Sequence, residues 1–554
     1  LGGTGTVADA VSLTGSGGID LRDGIVASLT LGSDLNINGA VDANDLAFDL
    51  GTSSNGTDSI TVAGDVTMAT PSAGLITLNQ LSGTKIDAGA YDLIVASGAM
   101  PAATNFSLAT TAAFGNTFSL QLDGTSQKLQ VVVAGAPVAP ANAYWTGNSS
   151  TDWSTPGNWS SDITGHASLS QAPGHNTHVR MHANGAAQLT TGVLAEDFDI
   201  DRLTYTAGAI ANTKIGGTSK TLILEAASGT GITVNTSTTN SPVHTIEANV
   251  ALATSQTWTS ATNAALTVAG VVSDFGAGHS LTKAGDGDIM LSGLNTYSGA
   301  TIVETGTLQI WHYSLGNSTV PNALGMSSVD PANLVLNPGT TLEFLVTGDS
   351  VRSTDRGFTI NGTADGDSAT LKSEKASGSA YDGVSLTSSA SPGYGTPNQT
   401  RTLILRGTQA SGGGNYNSNT RLYAAIADNG SGAVSLIKQD VGSWQLYGTC
   451  SYSGGTTVSG GALRTGKVNA LPSTGAVILA DASGAALVLD NFSQIIGSLS
   501  GGGTNGGNVS LGSGTLTVGD ASSTTYAGKI SGTGGLTKQG NGSLTLAATN
   551  TYTG

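Results

Sequence analysis

Three aspartates alternate through "EDFDIDR" at 196–202: Asp197, Asp199 and Asp201, separated by Phe198 and Ile200. Alternate residues of a strand share a face, so the carboxylates would line one side and the apolar pair the other. Carboxylates grouped this way can do acid/base chemistry on polysaccharide or hold Ca²⁺. The plainer reading is a solvated face over a buried Phe198 and Ile200. "GHNTHVRMH" at 174–182 offers His175, His178 and His182. Their spacing would suit a metal on a helix, but in a strand Arg180 stands between His178 and His182, and surface histidines are the expectation. Asp286, Asp288, Asp365 and Asp367 sit in Asp-Gly turns, the ordinary chemistry of a turn. No cofactor, metal or catalytic set is therefore expected. Asp197, Asp199 and Asp201 are the weak candidates held against that expectation.

Aromatic side chains could bind sugars. Trp145, Trp153 and Trp159 crowd into "YWTGNSSTDWSTPGNW", as a stacking platform or as cover for an open strand edge. Asn148, Asn158, Asn235, Asn317, Asn398 and Asn508 each begin an Asn-x-Ser/Thr triplet. Most such triplets are accidental in a chain this rich in Asn, Ser and Thr, yet they mark surface positions where glycans could attach.

The elements that must position these residues are strands. The chain has 554 residues, 80 of them Gly, with 10% charged and 5% aromatic. Short alternating runs of Val, Ile, Leu and Ala are punctuated by Gly too often for helices. A net charge of −17 with only 20 Lys and Arg leaves no basic track for nucleic acid. No apolar run is long enough to span a membrane. The single Cys450 allows no internal disulfide. The chain opens "LGGTGTVADA" without Met, so a processed or partial piece of a longer exported protein is expected.

One pattern recurs without gaps. Leu281, Lys283, Gly287, Ile289, Leu291, Tyr297 and Gly299 match Leu436, Lys438, Gly442, Trp444, Leu446, Tyr452 and Gly454, then Leu536, Lys538, Gly542, Leu544, Leu546, Tyr552 and Gly554. The first two copies continue through Thr301/Thr456, Val303/Val458, Gly306/Gly461 and Leu308/Leu463. A fixed spacing with period-2 alternation and turns of variable length is the pattern of solenoid coils. Tyr297, Tyr452 and Tyr552 read as a core or edge ladder. The repeated Lys has no physical account at this level. Asp440 replaces a Gly in the second copy, and Cys450 stands where the others have Asn295 and Asn550.

"LTKAGDGDIMLSGLNTYSGATIVETGTL" and its two partners resemble the autotransporter-associated β-strand repeat, also called the passenger-associated transport repeat, of giant bacterial surface proteins. "STDRGFTING" at 353–362 is similar to stretches in such proteins. The resemblance implies a right-handed parallel β-helix displayed outside a bacterium.

The expected architecture is all-β: a β-rich module over 1–138, a Pro/Trp-rich connector and module start over 139–160, and a β-helix over 161–554 with copies at 281–308, 436–463 and 536–554. The expected function is a structural segment of an extracellular fibre, stalk or filament, with an adhesive role open. A β-helix protein that binds or degrades polysaccharide is the alternative. Expected partners are the chain itself or further repeats end to end, and surface glycans. Because the third copy stops at Gly554, the parent polypeptide is expected to extend beyond both ends.

Overall fold

The computed structural model describes residues 4–15, 17–22, 26–39, 44–50, 57–68, 74–80, 88–109, 111–113, 116–135, 139–188, 190–209, 211–236, 241–347, 351–377, 383–409 and 420–554. Residues 136–138, at the end of the expected first module, lie outside them. Among the described residues helical backbone is confined to single 3₁₀ turns at Ala103–Asn105, Pro156–Asn158, His312–Ser314 and Pro331–Asn333. No described helix is long and apolar enough to cross a membrane. The protein is an all-β parallel solenoid. Its contacts divide it into two units, Leu1–Thr233 with Glu247–Thr254 and Ser273–Ala277, and Val234–Ile246 with Ser255–Val272 and Gly278–Gly554.

In the first unit, Gly5–Val7, Ser28–Leu31, Ser59–Val62 and Gly89–Ala96 stack in parallel. The antiparallel strands Lys128–Gly135 and Asn116–Leu122 then extend that sheet. Further along, His178–Met181, Thr191–Val193 and Phe198–Ile200 lie on separate sheets of one coil. Each pairs in parallel with a strand 23 or 24 residues on: His178↔Arg202, Thr191↔Lys214 and Phe198↔Leu222. That offset is the coil length here. It brings residues one coil apart in sequence within side-chain reach, since neighbouring strands lie about 4.8 Å apart.

In the second unit the repeat stacks on itself. Leu281 pairs with Thr301 and Ile289 with Leu308; Leu436 pairs with Thr456 and Trp444 with Leu463. Each full copy is therefore one coil plus the first strands of the next. Leu281, Ile289, Leu291, Val303, Leu308 and Ile310 are all buried, as are their counterparts Leu436, Trp444, Leu446, Val458 and Leu463. The first strands of the three copies, Leu281–Ala284, Val434–Lys438 and Leu536–Lys538, lie on three different sheets. The motif thus specifies a local coil and leaves free the face on which that coil begins.

Candidate functional site

The repeated Lys is explained by the carbonyls it meets. Lys283 and Lys438 are fully buried. Lys283 Nζ donates to Gly285 O in its own turn and, at 2.8 Å, to Thr305 O in the turn of the next coil. Lys438 Nζ donates to Gln439 O, to Asp440 O at 2.9 Å and to Gly460 O at 3.0 Å. One ammonium group thus donates to carbonyls of two successive turns and ties them together. The motif's Gly306 belongs to the same device, because a Cβ there would stand 2.5 Å from Lys283 Nζ. Burial pulls both ammonium groups down to about 8.

The Tyr of the motif has its own partner. Tyr297 and Tyr452 are buried, and each phenol meets the hydroxyl four residues on, Thr301 or Thr456, at 2.7 Å. Gly299 and Gly454 are needed where coils touch, since a Cβ would come within 2.3 Å of His279 O or Ser435 Oγ. In the third copy, at the edge of the described coils, Leu536 and Tyr552 are half-buried and Lys538 and Gly554 are exposed. The left-handed turn of Gly285 (φ 78°) and Gly540 (φ 72°) is kept by Asp440 (φ 56°). Asp440 tolerates this conformation better than most residues, and its carboxylate accepts from Arg406 Nε at 3.1 Å and Gly407 N at 3.2 Å.

At the Asn position, Asn295 Oδ1 accepts from Val272 N at 2.8 Å and its amide donates to Ala323 O at 2.9 Å. Asn550 Oδ1 likewise accepts from Ile530 N at 2.8 Å. Cys450 replaces that amide with a buried thiol 3.9 Å from Ala424 O. Burial pushes the thiol up to about 11, so it is held protonated and covered. We expect no reaction with an aromatic disulfide reagent at pH 8 in the folded chain and one thiol released on denaturation. Labelling of the native chain at the rate of a free thiol would contradict this burial.

Trp145, Trp153 and Trp159 form no stacking platform: all three are fully buried. Trp145 and Trp159 pair across antiparallel strands with ring centroids 4.9 Å apart. Trp153 meets Trp159 edge-on at 5.0 Å and Phe198 at 5.6 Å. The polar edges are used internally, Trp145 Nε1 donating to Gln188 O and Trp159 Nε1 to Trp153 O, both at 2.8 Å.

The three aspartates separate. Asp197 accepts from Thr221 N at 2.7 Å and Asp201 from Ala227 N at 3.0 Å, both backbone amides of the next coil. Asp199 alone enters a cluster of titratable groups, although its strand is buried throughout, so the expected solvated face is corrected. Asp199 Oδ2 lies 3.4 Å from His175 Nδ1, and Glu225 Oε1 lies 3.5 Å from the same nitrogen. The Asp199 carboxylate first, then that of Glu225, lifts the His175 imidazole to about 9. Burial holds the Glu225 carboxyl above its ordinary range. His175 and Asp199 also line a cleft of about 650 Å³ with Pro173, Asp197 and Phe198. Sequence reading missed this trio. The available signal was spacing: 24 residues from His175 to Asp199 and 26 from Asp199 to Glu225, each close to one coil.

The other two histidines of that stretch, His178 and His182, are not surface groups. His182 is buried. His178 is half-buried, accepts from Arg202 Nε at 3.0 Å and meets Thr204 Oγ1 at 2.8 Å. Burial, with Arg180 and Arg202 alongside, pushes it down to about 4. Among the turn aspartates, Asp367 accepts from Thr363 N and Ala364 N, and Asp365 from Thr400 N. Asn148, Asn235, Asn317, Asn398 and Asn508 are exposed. Asn158 is a correction: it is buried, its carbonyl accepting from Ser149 N and Ser150 N and its amide donating to Ser150 Oγ and Asp152 O. A glycan has no room there.

The Passenger-associated-transport-repeat family matches at residues 281–310, 436–464 and 536–554, the segments that fold into the Lys-tied coils. The chain carries passenger-associated transport repeats. A curated relative, "Adhesin BmaC autotransporter" of Brucella suis biovar 1 (strain 1330), is 37% identical over 260 residues, covering 46% of this chain. The matched stretch is 6% of that protein's length. No solved structure matches the chain. The repeat and the adhesin relative mark a bacterial cell-surface or extracellular protein.

Proposed function

We propose that the chain is a non-enzymatic, structural segment of a bacterial surface adhesin, part of a stalk or fibre that holds binding surfaces away from the cell. The observation that carries this reading is the repeat itself. Two copies 155 residues apart spend their polar side chains in the same way, on tying turns and pairing Tyr with Thr inside the coil. Such side chains add resistance to unfolding, being spent on contacts inside the coil. The boundary near residue 139, end-to-end association with further repeats, and glycans at the exposed asparagines belong to the same proposal.

One observation favours the alternative of a polysaccharide-active protein: His175, Asp199 and Glu225 beside a cleft. Display of the chain on a non-adherent bacterium separates the two. The adhesin reading expects increased attachment to host cells or glycan surfaces, with no new reducing ends from a polysaccharide panel. Cleavage that disappears in Asp199→Asn would replace it with the enzyme reading.

A further inference from the structure

His175, Asp199 and Glu225 come from a loop, a strand and a strand end that coil stacking brings together. His175 precedes His178–Met181, Asp199 is central in Phe198–Ile200, and Glu225 follows Thr221–Leu224. Their ligand atoms all lie within 4.8 Å of one another. The spacing is informative. A charge-assisted N–H···O bond draws its atoms to about 2.7–2.9 Å, whereas His175 Nδ1 stands 3.4 Å from Asp199 Oδ2 and 3.5 Å from Glu225 Oε1. Two donors each about 2.0–2.1 Å from one tetrahedral ion are themselves about 3.4 Å apart. Among the described residues, His175 Nδ1 and Glu225 Oε1 are buried and make no hydrogen bond. Orphaned buried polar atoms at metal-ligand separation call for a shared partner.

We propose that His175 Nδ1, Asp199 Oδ2 and Glu225 Oε1 are three ligands of a divalent transition-metal site of the Zn²⁺ class. One imidazole nitrogen with two carboxylate oxygens suits Zn²⁺ and its neighbours, while Ca²⁺ and Mg²⁺ take oxygen ligands. A fourth position is open to water or a polar ligand from the cleft that His175 and Asp199 line. The ion would tie the His175 loop to two successive coils, as the lysines tie turns in the second unit. The site stands independently of the adhesin reading.

The test is calorimetric titration of the metal-free full chain with Zn²⁺ alone, repeated with Ca²⁺. One Zn²⁺ site of micromolar affinity or tighter is expected, with no matching Ca²⁺ site. His175→Gln and Glu225→Gln should each weaken it by at least about tenfold, while Glu304→Gln, at an exposed position away from the site, should not. Co²⁺ bound to the native chain should show visible d–d bands that both ligand variants lose. Glu225→Gln keeps the side-chain shape, and its far-UV spectrum reports whether the fold survives. Equal Zn²⁺ binding by native chain and folded Glu225→Gln would overturn the proposal. So would the absence of a specific site, leaving the three residues as an imidazolium held between two carboxylates.

Discussion

Lys438→Met is expected to open the coils around residues 436–465, whereas Lys375→Met leaves its own region almost unchanged. Methionine matches the lysine stem but donates nothing, so Gln439 O, Asp440 O and Gly460 O lose their shared donor. A hydrogen bond from a charged donor is worth about 1.5–3 kcal/mol. Relief of the buried charge offsets part of that, and a net loss of about 3 kcal/mol follows at neutral pH. Lys375 is exposed on its strand, and exposed substitutions usually stay within about 0.5 kcal/mol. Hydrogen exchange resolved by peptide reads both effects. A loss of 3 kcal/mol corresponds to about a hundredfold faster exchange, and equal effects at the two lysines would refute the turn-tying role.

The same lysine fixes a pH dependence. Its folded value, about 8, lies below the ordinary lysine value of 10.5. Between these limits the unfolded chain binds more protons, so this group's contribution rises with pH from about 8 to 10.5 and falls as pH drops through 8. The stability advantage of the native chain over Lys438→Met should therefore grow between pH 7 and 9.5. An advantage that shrinks over that range would contradict the burial of the ammonium.

Trp159→Ala is expected to be the most damaging single change in the first unit. It empties a fully buried indole site against Trp145 and Trp153 and leaves Trp153 O without its donor. Truncation of a buried Trp or Phe to Ala costs about 3–5 kcal/mol, a large share of a domain's total of about 5–15 kcal/mol. Exchange should quicken in Asn142–Trp145 and His178–Met181 by at least about a hundredfold. Unchanged exchange, together with sugar-dependent quenching of tryptophan emission in the native chain, would return the cluster to a binding role.

The strand pattern and the repeat were legible because both are local. Leu281, Ile289, Leu291, Val303 and Leu308 alternate with polar residues, and every one of them is buried. The role of Lys283 was hidden because one of its acceptors, Thr305 O, lies a coil away and becomes a neighbour only once register is known. The same reason concealed Glu225 from Asp199. Coil length varies along the chain, 24 residues at His178↔Arg202 and 20 at Leu281↔Thr301, so no fixed offset announces the pairing. Asn158 misled because its triplet is indistinguishable in sequence from those of the exposed asparagines, while its amide is spent on a tight turn.

The stacking of successive coils in parallel register is the claim on which the rest depends. Spin labels at Thr457 and Ile478, in a Cys450→Ser background, test it most directly. These residues are direct partners on neighbouring parallel strands and both face outward, so their backbones should lie about 4.8 Å apart. Strong dipolar broadening is predicted for this pair, and none for Thr457 with Val488, which lies on another sheet. Narrow lines from Thr457 and Ile478, with broadening from Thr457 and Val488, would contradict the solenoid.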